Sequence, residues 1–281
     1  MFETLKNVFR VKEMRRKLLY LIWMIFIIRI GCQIPVPGVD SDFFKQWFSS
    51  NAGDAFNFFD AFTGGSFERM SIFALNITPY ITSSIIIQLL TIAIPALEEM
   101  QRDGEEGRKK MTAITRYVTV GLALFESIAM AIGFGRQGMI PNLDFFKGVV
   151  VVACLTAGSA MLMWLGERIT EKGVGNGISI VLTINIISRV PSDLTLLYEN
   201  FIKGKTIAKG TLAGLIIAAV ILLVVVLVLI LNGAERRIPV QYSKKMVGRK
   251  LMGGQSTNIP LKVNTAGVIP VIFASSIMSF P

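Results

Sequence analysis

The chain has no histidine and only two cysteines among its 281 residues. Without histidine it lacks the commonest general base and the commonest metal ligand. Cys32 and Cys154 both fall in apolar runs, where they form neither a disulfide framework nor a metal-binding spacing and read as inert buried thiols. Negative charge is scarce too: 19 Asp and Glu face 29 Lys and Arg, a formal charge of +10. The apolar runs hold no acidic cluster and no nucleophile–base pair, so nothing points to an enzyme or to a cofactor.

Apolar residues make up 52% of the chain, and they are gathered into runs rather than dispersed. Seven runs emerge at roughly 18–34, 71–97, 112–134, 148–166, 174–190, 211–234 and 263–281. Each approaches the ~20 residues that a spanning helix needs, so the expected class is an all-α polytopic membrane protein. The first run ends in Pro35-Val36-Pro37-Gly38 rather than in a small-residue cleavage pattern, and it reads as a retained span. Residues 1–17 place Phe2, Leu5, Val8 and Phe9 near one helical face among basic residues, as in an amphipathic helix on an anionic lipid surface. If the N-terminus is cytoplasmic, twenty Lys and Arg lie in inner segments and eight in outer ones, with Arg29 inside a run. That bias predicts a cytoplasmic N-terminus.

Before the second run lies a half-polar stretch too short to span, Asp60-Ala-Phe-Thr-Gly-Gly-Ser-Phe-Glu-Arg-Met70. Such a stretch survives near a bilayer only when buried in protein or lining a wet cavity. Gly64-Gly65 gives it a hinge; it reads either as an outer cap or as a movable stopper. Within the second run, Ile77, Ile81 and Ile85 recur every four residues, and Ile178 and Leu182 do so in the fifth. Helix packing accounts for any one of them; a ring of aliphatic side chains closing a wet path by dewetting accounts for the set. Asn76, Thr78, Thr82, Ser83, Ser84 and Gln88 form a polar strip, either ordinary interhelical bonding or a weakly held seam. Arg29 and Glu126 are expected to face protein or water. Gly173-Val-Gly-Asn-Gly177 lacks the context of a phosphate loop and reads as a flexible turn.

The chain also repeats itself. Ile34-Pro-Val-Pro37 is echoed by Ile238-Pro-Val-Gln241, and Pro79-Tyr-Ile-Thr-Ser-Ser84 by Pro270-Val-Ile-Phe-Ala-Ser275. Five runs separate the paired elements, so the copies are expected in opposite orientation, an inverted-topology repeat. Spans two and seven are then expected to face each other. The seventh run is barely complete at Pro281, which points to a fragment of a longer protein. The segment 235–262 carries Arg236, Arg237, Lys244, Lys245, Arg249 and Lys250; it reads as a topology signal, or as a surface for an RNA backbone or an acidic protein.

Arg29-Ile-Gly-x-x-Ile-Pro-Val-Pro-Gly38, Ile77-Thr-Pro-Tyr-Ile-Thr-Ser-Ser-Ile-Ile-Ile-Gln-Leu-Leu-Thr91, Gly173-Val-Gly-Asn-Gly-Ile-Ser179, Arg236-Arg-Ile-Pro-Val-Gln-Tyr242 and Asn264-Thr-Ala-Gly-Val-Ile-Pro270 together resemble the bacterial SecY family, the central subunit of the Sec protein-conducting channel. The resemblance implies a SecY-type inverted-repeat helical channel: a first half of five spans at 18–190, and 191–281 as a linker plus two spans of the second half. It implies a pore ring of Ile77, Ile81, Ile178, Leu182 and Ile272. It implies a plug near 58–67 containing Phe58, Phe59, Asp60, Phe62, Gly64, Gly65 and Phe67, and a lateral gate touching Thr78, Thr82, Gln88 and Ser275. The basic segment 235–262 becomes a docking loop for the ribosome, including its RNA, and for the SecA motor. Further implied partners are the small subunits SecE and SecG, signal sequences, nascent chains and anionic lipids, all at a bacterial cytoplasmic membrane. A secondary transporter with a broken-helix substrate site is the alternative; it predicts paired midplane charges, of which the runs offer only Arg29 and Glu126.

Overall fold

Proline decides where the second apolar run is helical. The computed structural model describes residues 11–41, 43–44, 46, 60, 62–138, 144–203, 207–240, 245–247, 250–252, 257–265, 267, 270 and 274, the side chains of 207–209, 245–252 and 257 excepted. The expected single span 71–97 is three pieces: turns over 71–77, helix α2 (Thr78–Ala93), and helix α3 (Pro95–Arg102) bent from it by 104°. Pro79 lies in the first turn of α2, where its missing N–H costs no hydrogen bond. Pro95 opens α3, and Ile94 before it is extended, as a residue preceding proline prefers.

Helix α1 (Lys12–Gly31) takes Lys12 to Lys17 directly into the first span. The rest of the expected amphipathic segment, residues 1–10, lies outside the described residues. Helices α4 (Gly104–Arg136), α5 (Phe145–Lys172), α6 (Gly177–Phe201) and α7 (Ile207–Gly233) all outrun the apolar stretches that announce them. α6 continues through Pro191 for ten further residues, where a loop is expected from hydropathy alone. Apolar length locates the membrane-compatible part of a helix, and backbone hydrogen bonding carries the helix on past it. Among the described residues, four helices are long and apolar enough to cross a membrane, and five if the bent pair α2–α3 is one span.

The chain divides into two compact units at residue 192. In the first, α4 packs chiefly on α5 and α2, and α1 on α5. One apolar cluster joins Phe44, Phe67, Met70, Leu75, Phe134, Val151 and Leu155; another joins Ile28, Cys32, Phe73, Leu162, Leu165, Ile169 and Val181. Glycine permits two close approaches: a Cβ at Gly158 would overlap the Ile72 carbonyl, and one at Gly107 the Met100 carbonyl.

The second unit holds the end of α6, then α7 and a β structure in place of the expected basic loop. Strand β1 (Glu235–Val240) pairs antiparallel with β4 (Thr257–Lys262), and β2 (Lys245–Val247) pairs with β3 (Lys250–Met252). Alternation along β1 and β4 is legible in hindsight, with Arg236 opposite Leu261 and Ile238 opposite Ile259, pairs that share a face. The charge density of the segment masks that pattern in a hydropathy reading. Most of the seventh run, 263–281, lies outside the described residues, and with it the expected partner span of the inverted repeat.

Candidate functional site

The stretch Asp60–Ile77 is bound on one side by the end of α1 and on the other by α6. Pro35 forms an isolated antiparallel bridge with Ser71. The Val36 N–H donates to the Met70 carbonyl at 2.9 Å and the Ile72 N–H to the Ile34 carbonyl at 3.0 Å. The Ile-Pro-Val-Pro motif thus supplies an extended edge whose prolines limit it to these few bonds. Farther along, Arg69 donates to the Gln33 side-chain oxygen.

The stretch is more buried than its composition predicts. Asp60, Thr63, Ser66, Ser71 and Asn76 are buried beside Phe67, Met70, Phe73, Ala74, Leu75 and Ile77. A buried carboxylate needs partners, and Asp60 has them. Its Oδ1 accepts from the Glu68 N–H at 2.9 Å and from the Thr63 hydroxyl at 3.1 Å, while its Oδ2 pairs with the Arg189 guanidinium of α6. The phenyl rings of Phe44, Phe67 and Phe134 meet edge-on, with centroids 5.0 to 6.1 Å apart, a favoured aromatic geometry.

Gly64 and Gly65 take φ of +68° and +79°, left-handed backbone that favours glycine. Gly64 also lies against α6, where a Cβ would come 2.6 Å from the Asn185 carbonyl oxygen and 2.9 Å from Ser188 Oγ. Asn76, at φ +53°, bridges two elements. Its amide donates to the Phe62 carbonyl at 2.9 Å, and its oxygen accepts from the Asn185 amide at 2.9 Å.

Of the expected ring residues, Ile77 is fully buried and caps α2, while Ile81, Ile178 and Leu182 are half-buried. A Cβ on Gly166 of α5 would lie 3.3 Å from Ile178 Cγ1 and 3.5 Å from Ile77 Cδ1, so these two aliphatics converge on one glycine. The turn before α6 is capped rather than loose: Asn176 Oδ1 accepts from the Ile178 N–H at 3.1 Å and the Ser179 N–H at 3.4 Å. Among the gate residues, Thr78 and Thr82 are half-buried and Gln88 is exposed. Ser83 and Thr91 return their hydroxyls to carbonyls of their own helix, Pro79 and Ile87, so these two satisfy themselves within α2 rather than across a seam. Arg29 keeps a buried guanidinium nitrogen with no hydrogen-bond partner among the described residues.

Arg236 and Arg237 stand exposed on β1; Lys245 and Lys250 lie in β2 and β3. Phe58, Phe59, Lys244, Arg249, Ile272 and Ser275 fall outside the described residues. The residues that composition and motif did not single out are Asn185, Ser188 and Arg189. Their signal was available: spaced i, i+3 and i+4, three polar residues mark one face of an otherwise apolar helix.

A family model described as SecY matches residues 71–281. The protein translocase subunit SecY of Halalkalibacterium halodurans is 45% identical over 289 residues, covering 100% of this chain and 66% of its own length. That of Escherichia coli (strain K12) is 43% identical over 273 residues, covering 96% and 61%. The chain therefore spans roughly two thirds or less of the length of these curated relatives. Among solved structures, a protein-conducting channel aligns with TM-score 0.61 at 19% identity, over 94% of this chain and 56% of that one. Canine Sec61 in a ribosome–channel complex from the endoplasmic reticulum aligns with TM-score 0.59 at 20% identity, over the same shares. At such identity they speak for the fold: helical, and of the channel type. With a family model over most of its residues and full-length alignment to close relatives, the chain is a multi-pass membrane protein belonging to the SecY family.

Proposed function

We propose that this chain is part of a protein-conducting channel subunit. It passes unfolded secretory polypeptides across the bacterial cytoplasmic membrane and releases membrane helices sideways into it. The observation that carries this reading is the stretch Asp60–Ile77: a buried, non-spanning, polar-bonded segment seated among apolar spans, in a chain of this family. Ile77, Ile81, Ile178, Leu182 and Ile272 form the ring that closes around a passing chain. Aliphatic side chains offer it no binding site, so sequences of any kind can slide through. Phe58 to Phe67 form the plug that fills the resting path. Thr78, Thr82, Gln88 and Ser275 lie along the lateral exit, where signal sequences bind.

The charge bias supports a cytoplasmic N-terminus and a cytoplasmic β1–β4 pair. There Arg236, Arg237, Lys244, Lys245, Arg249 and Lys250 meet the ribosome, through its RNA backbone, or the SecA motor. The canine Sec61 structure, solved with a ribosome, supports the first of these. SecE and SecG complete the membrane assembly, and anionic lipids hold the basic N-terminus. The test is made in the full-length protein, reconstituted in vesicles. Replacing Ile81 and Ile272 with Asn should raise resting ion conductance severalfold, because a polar constriction stays wetted. Conductance equal to the wild type would remove the ring from the mechanism.

A further inference from the structure

Asn185, Ser188 and Arg189 do not belong to the ring, the gate or the docking surface, yet each meets the stretch assigned as plug. Arg189 pairs with the buried Asp60. Asn185 donates to Asn76, which itself donates to the Phe62 carbonyl. Ser188 closes on the Asn185 carbonyl at 2.7 Å, and both stand where a side chain on Gly64 would have to go. One face of α6 therefore meets the plug at three points: the Asp60 carboxylate, the Gly64 backbone and, through the Asn76 amide, the Phe62 carbonyl.

We propose that this face is the latch of the closed channel, with Arg189 its principal positioning residue. The proposal rests on the plug reading above and adds what holds the plug in place. Asp60 is completely buried and Arg189 largely so. Neither charge can leave the other inside protein without a large penalty, whereas both are well solvated once the plug swings into water. Such a pair resists partial displacement and tolerates full displacement, which makes closure all-or-none. The hydrogen bond between the Asn185 and Asn76 side-chain amides adds direction, since the Asn76 backbone is already in the left-handed region that asparagine tolerates better than most residues. Asn76 lies beyond the plug, one residue before the cap of α2, and ties Phe62 within the plug to α6.

The experiment uses the full-length protein with its small subunits in vesicles, reading resting halide conductance and the export of a substrate with a weakened signal sequence. Asp60→Asn and Arg189→Gln should each raise resting conductance at least tenfold, since losing one partner of a buried pair shifts an equilibrium by roughly a hundredfold or more. The double variant should leak no more than the leakier single one, because the two act through one bond. Asn185→Leu, which disturbs no charge, should leak by a smaller factor, and Arg189→Lys should leak less than Arg189→Gln. Deleting residues 60–67 is the control. If the deletion leaks while Arg189→Gln and Asn185→Leu conduct like the wild type, the latch is wrong and the plug stands. If Asp60→Asn and Arg189→Gln multiply rather than saturate, they do not act as a pair and the latch is overturned. If the deletion itself leaves conductance unchanged, the plug reading fails first. Should Arg189→Gln not accumulate in the membrane, Asn185→Leu and Arg189→Lys decide the question by the same readout.

Discussion

Two regions of this protein reach opposite solutions. Between Asp60 and Ile77 five polar residues and six apolar ones are buried together in turns. Along α7, the most apolar helix of the chain, no residue from 211 to 233 is buried, and Leu215 and Leu229 are 71% and 65% exposed. Hydrophobicity and burial are thus separate properties in a membrane protein. Lipid accepts an apolar helix without help from neighbours. The irregular stretch is kept from water by the protein around it, and its buried carboxylate and amide, Asp60 and Asn76, are bonded there.

The sharpest way to break that contrast is to hollow out the stretch. Phe67→Ala removes a ring that contacts both Phe44 and Phe134, and should cost about 3–5 kcal/mol of stability, read as a fall in the thermal midpoint of the detergent-solubilised protein. Next comes charge on α7. Val224→Arg should oppose membrane insertion by about 2.5–3.5 kcal/mol, seen as loss of the span in a glycosylation-mapping assay; normal insertion would mean that α7 has protein or water beside Val224. Smaller again is Asn76→Ala, which removes two hydrogen bonds and strains a left-handed residue. It should destabilise by about 2 kcal/mol in the same thermal assay, and a change below a few tenths would dismiss the bridge between Phe62 and Asn185. Least of all is Val224→Leu, expected within about 0.5 kcal/mol of the wild type, because lipid does not register side-chain shape as a packed core does.

The same contrast explains what could be read from the amino acids. α7 is evident from its run of aliphatics, since in lipid apolar length alone secures a helix. The second run misleads because Pro79 and Pro95 sit inside an apolar stretch, and hydropathy does not register a missing N–H. The segment before the second run is legible as a non-spanning, glycine-containing piece, but not its attachment. Arg189 reads as a charge at the end of a run, and only the fold brings it to Asp60, 129 positions away in the chain. The β1–β4 pairing stays hidden because its apolar positions, Ile238, Ile259 and Leu261, lie among arginines and prolines. Ring, gate and docking residues drawn from resemblance divide similarly: those on α2, α6 and β1 have a described place, while Ile272 and Ser275 do not.

Ile178, Leu182, Asn185 and Arg189 recur at spacings of four, three and four along α6, a single stripe on one rigid rod. At about 1.5 Å per residue, Arg189 stands roughly 18 Å from the Gly177 end, whereas Ile178 is almost on it. Gly177 touches the Gly166 backbone so closely that a side chain there would overlap it, and Gly175 before it is at φ +76°, so that end is a natural fulcrum. A tilt of about ten degrees would carry Arg189 about 3 Å, by the same rise per residue, while Ile178 scarcely shifts. α6 is in this sense a lever with unequal arms: a small push at its far end would part Arg189 from Asp60 while Ile178, beside the fulcrum, has scarcely moved.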